Sequence, residues 1–180
     1  IGNQFSTDSA TVMQFISNND SLQSFGVDTS TFYAIIIQDT YQFYWDTPFR
    51  QILTKLKSYQ EKFWDDIDRR NKLQSKHLTD IEAYTLASIV DEETNVASDK
   101  YKIASVYINR LAKEMTLQAC PTIKFAMNDF TITRIYEKYL SNPSPYNTYR
   151  KKGLPPGPIC TPLPATIDII LNAQNTNILY

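Results

Sequence analysis

With 180 residues, 18 Lys plus Arg and 19 Asp plus Glu, the chain carries a formal net charge of −1. It therefore has no overall basic field with which to hold nucleic acid or an anionic membrane surface. Its only histidine is His77 and its four glycines are scattered, which excludes a multi-histidine zinc site, a Ser-His-Asp triad and a glycine-rich phosphate loop.

Any catalysis falls to carboxylates, hydroxyls or amides. No apolar run approaches the roughly 20 residues a membrane helix needs, and no signal peptide is visible. The chain begins with Ile and stops on "NILY", which reads like the start of a strand, so it reads as a segment of a longer protein. Basic bunches at Arg69, Arg70, Lys72 and Lys76, and at Arg150, Lys151 and Lys152, read as a helix end and a solvated loop.

Residues 8–26 predict short helical pieces, with Asp8 or Ser9 as the cap, Val12, Phe15 and Ile16 as the apolar stripe and Gly26 as the stop. "YAIII" (33–37) predicts a buried strand, and the alternation in "YQFYW" (41–45) a half-buried one. Pro48 then opens a long helix over 48–67, whose core face runs from Phe49 through Trp64 to Ile67 and whose last turn is basic.

Thr79 and Glu82 form a capping box, because the hydroxyl accepts from the backbone at Glu82 and the Glu reaches back. A second helix follows from about Ser98, with Ile103, Val106, Tyr107, Arg110 and Leu111 on one side. "MTLQAC" (115–120) reads as a strand, Pro121 opens a short helix and "ITRIYEKYL" (132–140) reads as helical. Residues 141–164 hold seven of the nine prolines, which makes them a stiffened loop and not a flexible linker.

Three acids, Asp91, Glu92 and Glu93, end the helix that the capping box starts. At about 100° per residue, Leu86, Ile89 and Val90 before Glu93 and Val96 and Ala97 after it place Glu93 in the middle of an apolar stripe. Asp91 then points roughly the other way and Glu92 lies on the flank; both read as solubility residues. A carboxylate on a buried face must find a cation, bind donors or raise its pKa, and a raised pKa is what a general acid needs. A structural pairing of Glu93 with Arg110 stays open as the alternative.

"LASIVDEETNVASDKYKIASVYINRL" (86–111) resembles the signature of the MltG/YceG-like endolytic murein transglycosylases, A-S-I-V-E-x-E-T followed by V-A-S-V-F-I-N-R-L. "LQACPTIKFAM", "SPYNTY", "GLPPGPI" and the upstream "DTYQFYW" extend the resemblance in the same order from about Ile37 onward. The resemblance implies a peptidoglycan lyase that cuts the β-1,4 bond between N-acetylmuramic acid and N-acetylglucosamine and leaves a 1,6-anhydro end. It implies an N-terminal membrane helix before Ile1, a place on the outer face of the cytoplasmic membrane, glycan strands and cell-wall synthesis proteins as partners, and no metal or organic cofactor.

The family's catalytic acid maps onto Glu93, with Thr94 beside it and Asp91 in a supporting place. Substrate contacts are implied for Gln118, Tyr146, Asn147, Thr148 and Tyr149, with Gly153, Leu154, Pro155 and Gly157 as a rigid wall. Asn109 and Arg110 are supporting residues, with helix-end packing equally open. Two departures stand out: Cys120 where the family often has Asp, and Gln38 where it often has Pro. Cys120 and Cys160 in an exported protein would close a loop of about 40 residues, a disulfide of ~3–4 kcal/mol; two unpaired thiols are the alternative.

The expected fold is α+β: a mainly helical domain with a small β-sheet and a proline-rich active-site loop. Residues 1–46 are expected as an N-terminal part of short helices and strands, and 47–180 as one compact catalytic region truncated at both ends. The competing functional expectation is a non-catalytic peptidoglycan-binding or scaffold module.

Overall fold

The Thr79–Glu82 box closes as expected: Thr79 Oγ1 accepts from Glu82 N at 3.2 Å, and Glu82 Oε2 accepts from Thr79 N at 2.8 Å. It starts helix α5, Asp80–Glu93, in which every residue from Ala83 to Val90 is buried. A helix buried all round belongs at the centre of a domain, and this one is packed by three later helices and a 3₁₀ turn. The structure, a computed structural model, describes Phe5, residues 7–174, Thr176, Ile178 and Leu179.

Before α5 come α1 (Ser9–Ile16), α2 (Asn19–Gln23), a 3₁₀ turn (Phe32–Ile35), α3 (Phe49–Trp64) and α4 (Ile67–Lys76). After it come α6 (Ala97–Ala112), α7 (Cys120–Met127), α8 (Glu137–Leu140) and α9 (Pro164–Asn172). One hydrophobic cluster gathers Phe25, Ile35, Phe49, Ile52, Leu53 and Leu56 around α3. The other joins α5 to α6 and α9, with Trp64 and Leu73 at its edge.

The expected β-sheet does not exist: among the described residues no strand forms, and the only pairing is one antiparallel bridge between Thr116 and Lys152. Residues 33–35 lie in the 3₁₀ turn, and the Ile36 and Ile37 carbonyls that a ladder would use are taken by side chains. Tyr84 Oη donates to Ile36 O at 2.5 Å and Tyr41 Oη donates to Ile37 O. Residues 41–45 are irregular; Tyr41 and Phe43 turn onto the α3 cluster while Tyr44 and Trp45 face solvent.

The 115–120 segment cannot continue as a strand, because Gln118 sits at φ 55°, in the left-handed region. Of 132–140, only the α8 residues are helical. Ile178 and Leu179 are irregular, and Asn177 and Tyr180 of "NILY" lie outside the described residues.

The single helix expected over 48–67 is two helices. Asp66 accepts from Arg69 N at 3.0 Å and caps α4, a competing N-terminus that a stripe of apolar spacing does not reveal. Ile67 consequently faces solvent. Arg69 turns to α9, where its guanidinium meets the Asp168 carboxylate at 2.9 and 3.1 Å.

The proline-rich loop lies along α5. Ile159 N donates to Ser88 Oγ at 3.0 Å, and at Gly157 the chain runs so close to Ser30 that a Cβ would stand 2.0 Å from the Ser30 carbonyl oxygen.

Candidate active site

The three acids at the end of α5 part ways. Asp91 turns inward: it pairs with Lys100 of α6, accepts from Thr166 Oγ1 of α9 at 2.6 Å and from Leu163 N at 3.0 Å. Lys100 also donates to Thr166 Oγ1 at 3.1 Å. The expectation that Asp91 only aids solubility is thus corrected, since its carboxylate joins three helices in a setting where both charged groups are nearly buried. The apolar stripe was expected to run past Glu93, but α5 stops there and Val96 and Ala97 are exposed.

Glu93 is half-buried, and its Oε1 accepts from Tyr107 Oη of α6 at 2.8 Å. Burial, then the nearby Glu93 charge, push the Tyr107 phenol far above its ordinary pKa, so it stays a donor. Glu93 opens onto a cleft of about 460 Å³ lined also by Ile103, Val106, Arg110, Leu117 and Gln118. Among the described residues lining this cleft, Glu93 is the one carboxylate. Thr94 caps the end of α5, its Oγ1 accepting from Val96 N at 3.1 Å.

The expected site residues fall into three groups. Gln118 and Arg110 line the Glu93 cleft with it. Arg110 donates to Leu117 O at 2.6 Å, to Gln118 Oε1 at 3.4 Å and to Leu179 O at 3.0 Å. Asn109 holds the C-terminal segment through Thr176 Oγ1 at 2.9 Å and Ile178 O at 2.8 Å. Both side chains therefore brace backbone that shapes the cleft.

The second group shapes the loop. Asn147 is fully buried, donating to Leu140 O and Asn142 O and accepting from Tyr149 N. Thr148, also buried, accepts from Ala119 N at 3.0 Å and meets Thr122 Oγ1 at 2.8 Å. These contacts hold the loop against α7 and set Tyr149, whose Oη lies 3.2 Å from Cys120 Sγ. Burial, Cys120 and the Glu93 charge all raise the Tyr149 pKa, so its hydroxyl stays protonated. Tyr146 packs on Phe125, ring centroids 4.7 Å apart.

The third group lies elsewhere. Gly153 and Leu154 line a separate cleft with His77, Leu78 and Glu82, beside the first turn of α5, some 16 Å of helix from Glu93 at ~1.5 Å per residue. Pro155 and Gly157 are buried. Cys120 and Cys160 are free thiols with separate partners, Tyr149 Oη and Ser88 O.

Sequence reasoning missed Tyr107 as the partner of Glu93, counting it only among the residues on one side of α6. It also missed Lys100, Thr166, Phe125 and Phe130, which carry no local pattern. No three His, Cys, Asp or Glu side chains among the described residues group to hold a metal, and no helix among them is long and apolar enough to cross a membrane.

The YceG-like family model matches residues 4–180. The chain belongs to the YceG-like family. A protein of Bacillus subtilis (strain 168) named endolytic murein transglycosylase is 35% identical over 131 residues, covering 73% of this chain and 34% of that protein. One of the same name in Streptococcus pneumoniae (serotype 2, strain D39) is 33% identical over 112 residues, covering 60% of this chain and 20% of that protein.

The chain thus spans about a third or less of these relatives' length. A crystal structure of a yceG-like protein from Listeria monocytogenes superposes with a TM-score of 0.79 at 28% identity, over 97% of this chain and 61% of that one.

Proposed function

We propose that this YceG-like domain is the cutting unit of an endolytic peptidoglycan lyase, with Glu93 as its acid and base. The observation that carries the reading is the lone carboxylate: among the described residues lining its cleft, Glu93 meets no second acid, since Asp91 is engaged by Lys100 and Glu92 faces another side. Hydrolysing glycosidases use two carboxylates, the second to activate water or to attack the sugar. A lyase that uses the substrate's own C6 hydroxyl needs one, because the nucleophile is already tethered to the reacting ring.

In this mechanism Glu93 gives its proton to the glycosidic oxygen as the bond from the muramyl anomeric carbon breaks. The C6 hydroxyl oxygen bonds to that carbon and its proton passes to the Glu93 carboxylate. The acid is restored, no water is consumed, and the product carries a 1,6-anhydromuramyl end. The relatives' name and the family's signature at 86–94 support this substrate, and with it a site of action at the outer face of the cytoplasmic membrane.

Mass spectrometry of purified peptidoglycan incubated with the wild type and with Glu93→Gln tests the reading. Anhydromuramyl ends from the wild type alone are the expected result. New reducing ends would mean hydrolysis and sink the lyase mechanism; no ends from the wild type would leave a binding or scaffold module.

A further inference from the structure

The last two residues of α5 open onto different clefts. Glu93 faces the one described above; exposed Glu92 faces a smaller one of about 200 Å³, walled by Pro121, Lys124, Phe125, Phe130 and Cys160. The same two segments bound both. The end of α5 lies on one side, and on the other the chain from Leu117 to Lys124 gives Leu117 and Gln118 to the first cleft and Pro121 and Lys124 to the second. The two are therefore neighbours along one surface.

The smaller cleft has a chemistry of its own. Phe125 links two rings, Tyr146 at 4.7 Å and Phe130 at 6.4 Å. Phe130 is 65% exposed, so its face is left over for something other than the core. Polar groups converge beside the rings: the Glu92 carboxylate accepts, the Lys124 ammonium donates and the Cys160 thiol is held protonated, its pKa pushed up to about 12 by burial first and then by the Glu92 and Asp91 charges. One carboxylate and one ammonium offset each other, which argues against a strongly charged ligand. Ring faces with a few convergent donors and acceptors suit a neutral, hydroxyl-rich and amide-bearing pyranose, whose C–H face is apolar and whose edge is polar.

We infer that the Phe125–Phe130 cleft binds an N-acetylated sugar of the glycan strand, next to the sugar pair held at Glu93. The inference rests on the reading of Glu93 as the cleaving acid and deepens it: cutting inside a strand requires sugars to be held on both sides of the broken bond. The strand then crosses the end of α5, over Thr94, with the two clefts on either side.

The test is calorimetric binding of a tetrasaccharide of alternating N-acetylglucosamine and N-acetylmuramic acid to the Glu93→Gln protein, which removes cleavage from the readout. Adding Phe130→Ala is expected to weaken binding five- to tenfold; adding Tyr44→Ala, a solvent-facing ring remote in sequence, is expected to change it less than twofold. Both substitutions are at exposed side chains and circular dichroism should match the parent. Equal affinity with and without Phe130, an equal loss from Tyr44→Ala, or no binding by the Glu93→Gln protein would each overturn the inference. The cleavage reading stands or falls separately, on the anhydromuramyl ends made by the wild type.

Discussion

The hydroxyl of Tyr107, in the middle of α6, donates to Glu93 Oε1 at the end of α5 across 2.8 Å. The phenol ring is buried and the residues between the two lie in the turn and the first part of α6, so the bond fixes one carboxylate oxygen while the cleft side stays accessible to substrate. Hydrogen bonds to a charged group are worth ~1.5–3 kcal/mol, enough to hold a side chain in one rotamer. Tyr107→Phe keeps the ring and removes the bond. We expect kcat for anhydromuramyl release to fall about tenfold, which is ~1.4 kcal/mol of barrier, with KM changed less than twofold. A rise in KM at constant kcat would show that Tyr107 touches substrate and does not position the acid.

Asp91 and Lys100 predict a stability effect. Their side chains are 13% and 8% exposed, and Thr166 and Leu163 N complete the carboxylate's bonding. Breaking one partner of a buried pair strands the other charge, which costs ~3–5 kcal/mol, whereas replacing both by apolar groups is often close to neutral. Asp91→Ala should therefore lower the urea midpoint severely, and Asp91→Ala with Lys100→Met should restore most of it. Equal loss in the single and double variants would mean the carboxylate acts on the backbone at Leu163 and not on the charge.

These two acids also show why part of the site was legible and part was not. The capping box at Thr79, the α6 stripe and the long apolar face of α3 are local patterns, and the sequence carries them whole. The helical-wheel argument separated Asp91 from Glu93 correctly in direction. It then took the side away from the stripe to be solvent, but α5 is covered all round by α6, α7 and α9, so the far side met Lys100 instead.

The missing sheet has the same origin. Alternation at 41–45 and β-branched residues at 35–37 state that these segments are half-buried, not that another strand lies beside them. Tyr84, 47 residues beyond Ile37 in the sequence, takes a backbone acceptor from that stretch, and no local window contains it. Gly153 and Gly157 were expected to face a ligand; Gly157 is instead required by Ser30, more than 120 residues earlier.

That close approach makes Gly157 testable against Gly153. A Cβ at residue 157 would sit 2.0 Å from a backbone oxygen that cannot swing away, whereas at Gly153 nothing lies within 4 Å and only the φ of +79° resists a side chain. Gly153→Ala is expected to cost ~1–2 kcal/mol, the penalty of a left-handed residue. Gly157→Ala should cost more, at or above the ~1–3 kcal/mol of ordinary overpacking, and detach the proline-rich loop from the 30–31 turn. Chemical denaturation of both variants checks the order. If Gly157→Ala is the milder of the two, the contact between these segments is not closed in solution.

Cys160 sets a pH dependence. Burial first, and then the Glu92 and Asp91 charges, push its thiol from an ordinary value of 9.0 up to about 12. A proton held more tightly in the folded state than in the unfolded one stabilises the fold in a definite direction. The contribution is fully present below about pH 9, and it is lost as pH rises from there toward 12 because the unfolded chain gives up the proton first. Buried Tyr84 and Tyr107, whose phenols are also pushed upward, add the same sign of effect, but only above the ordinary tyrosine value of ~10. The interval from pH 9 to pH 10 therefore reports mainly on Cys160. Urea midpoints of the wild type should be flat from pH 7 to 8 in this contribution and fall between 9 and 10, while those of Cys160→Ala should start lower, for the atoms removed, and fall less steeply. Parallel curves for the two proteins from pH 8 to 10 would mean that the Cys160 thiol is exposed to solvent, with its proton free to leave.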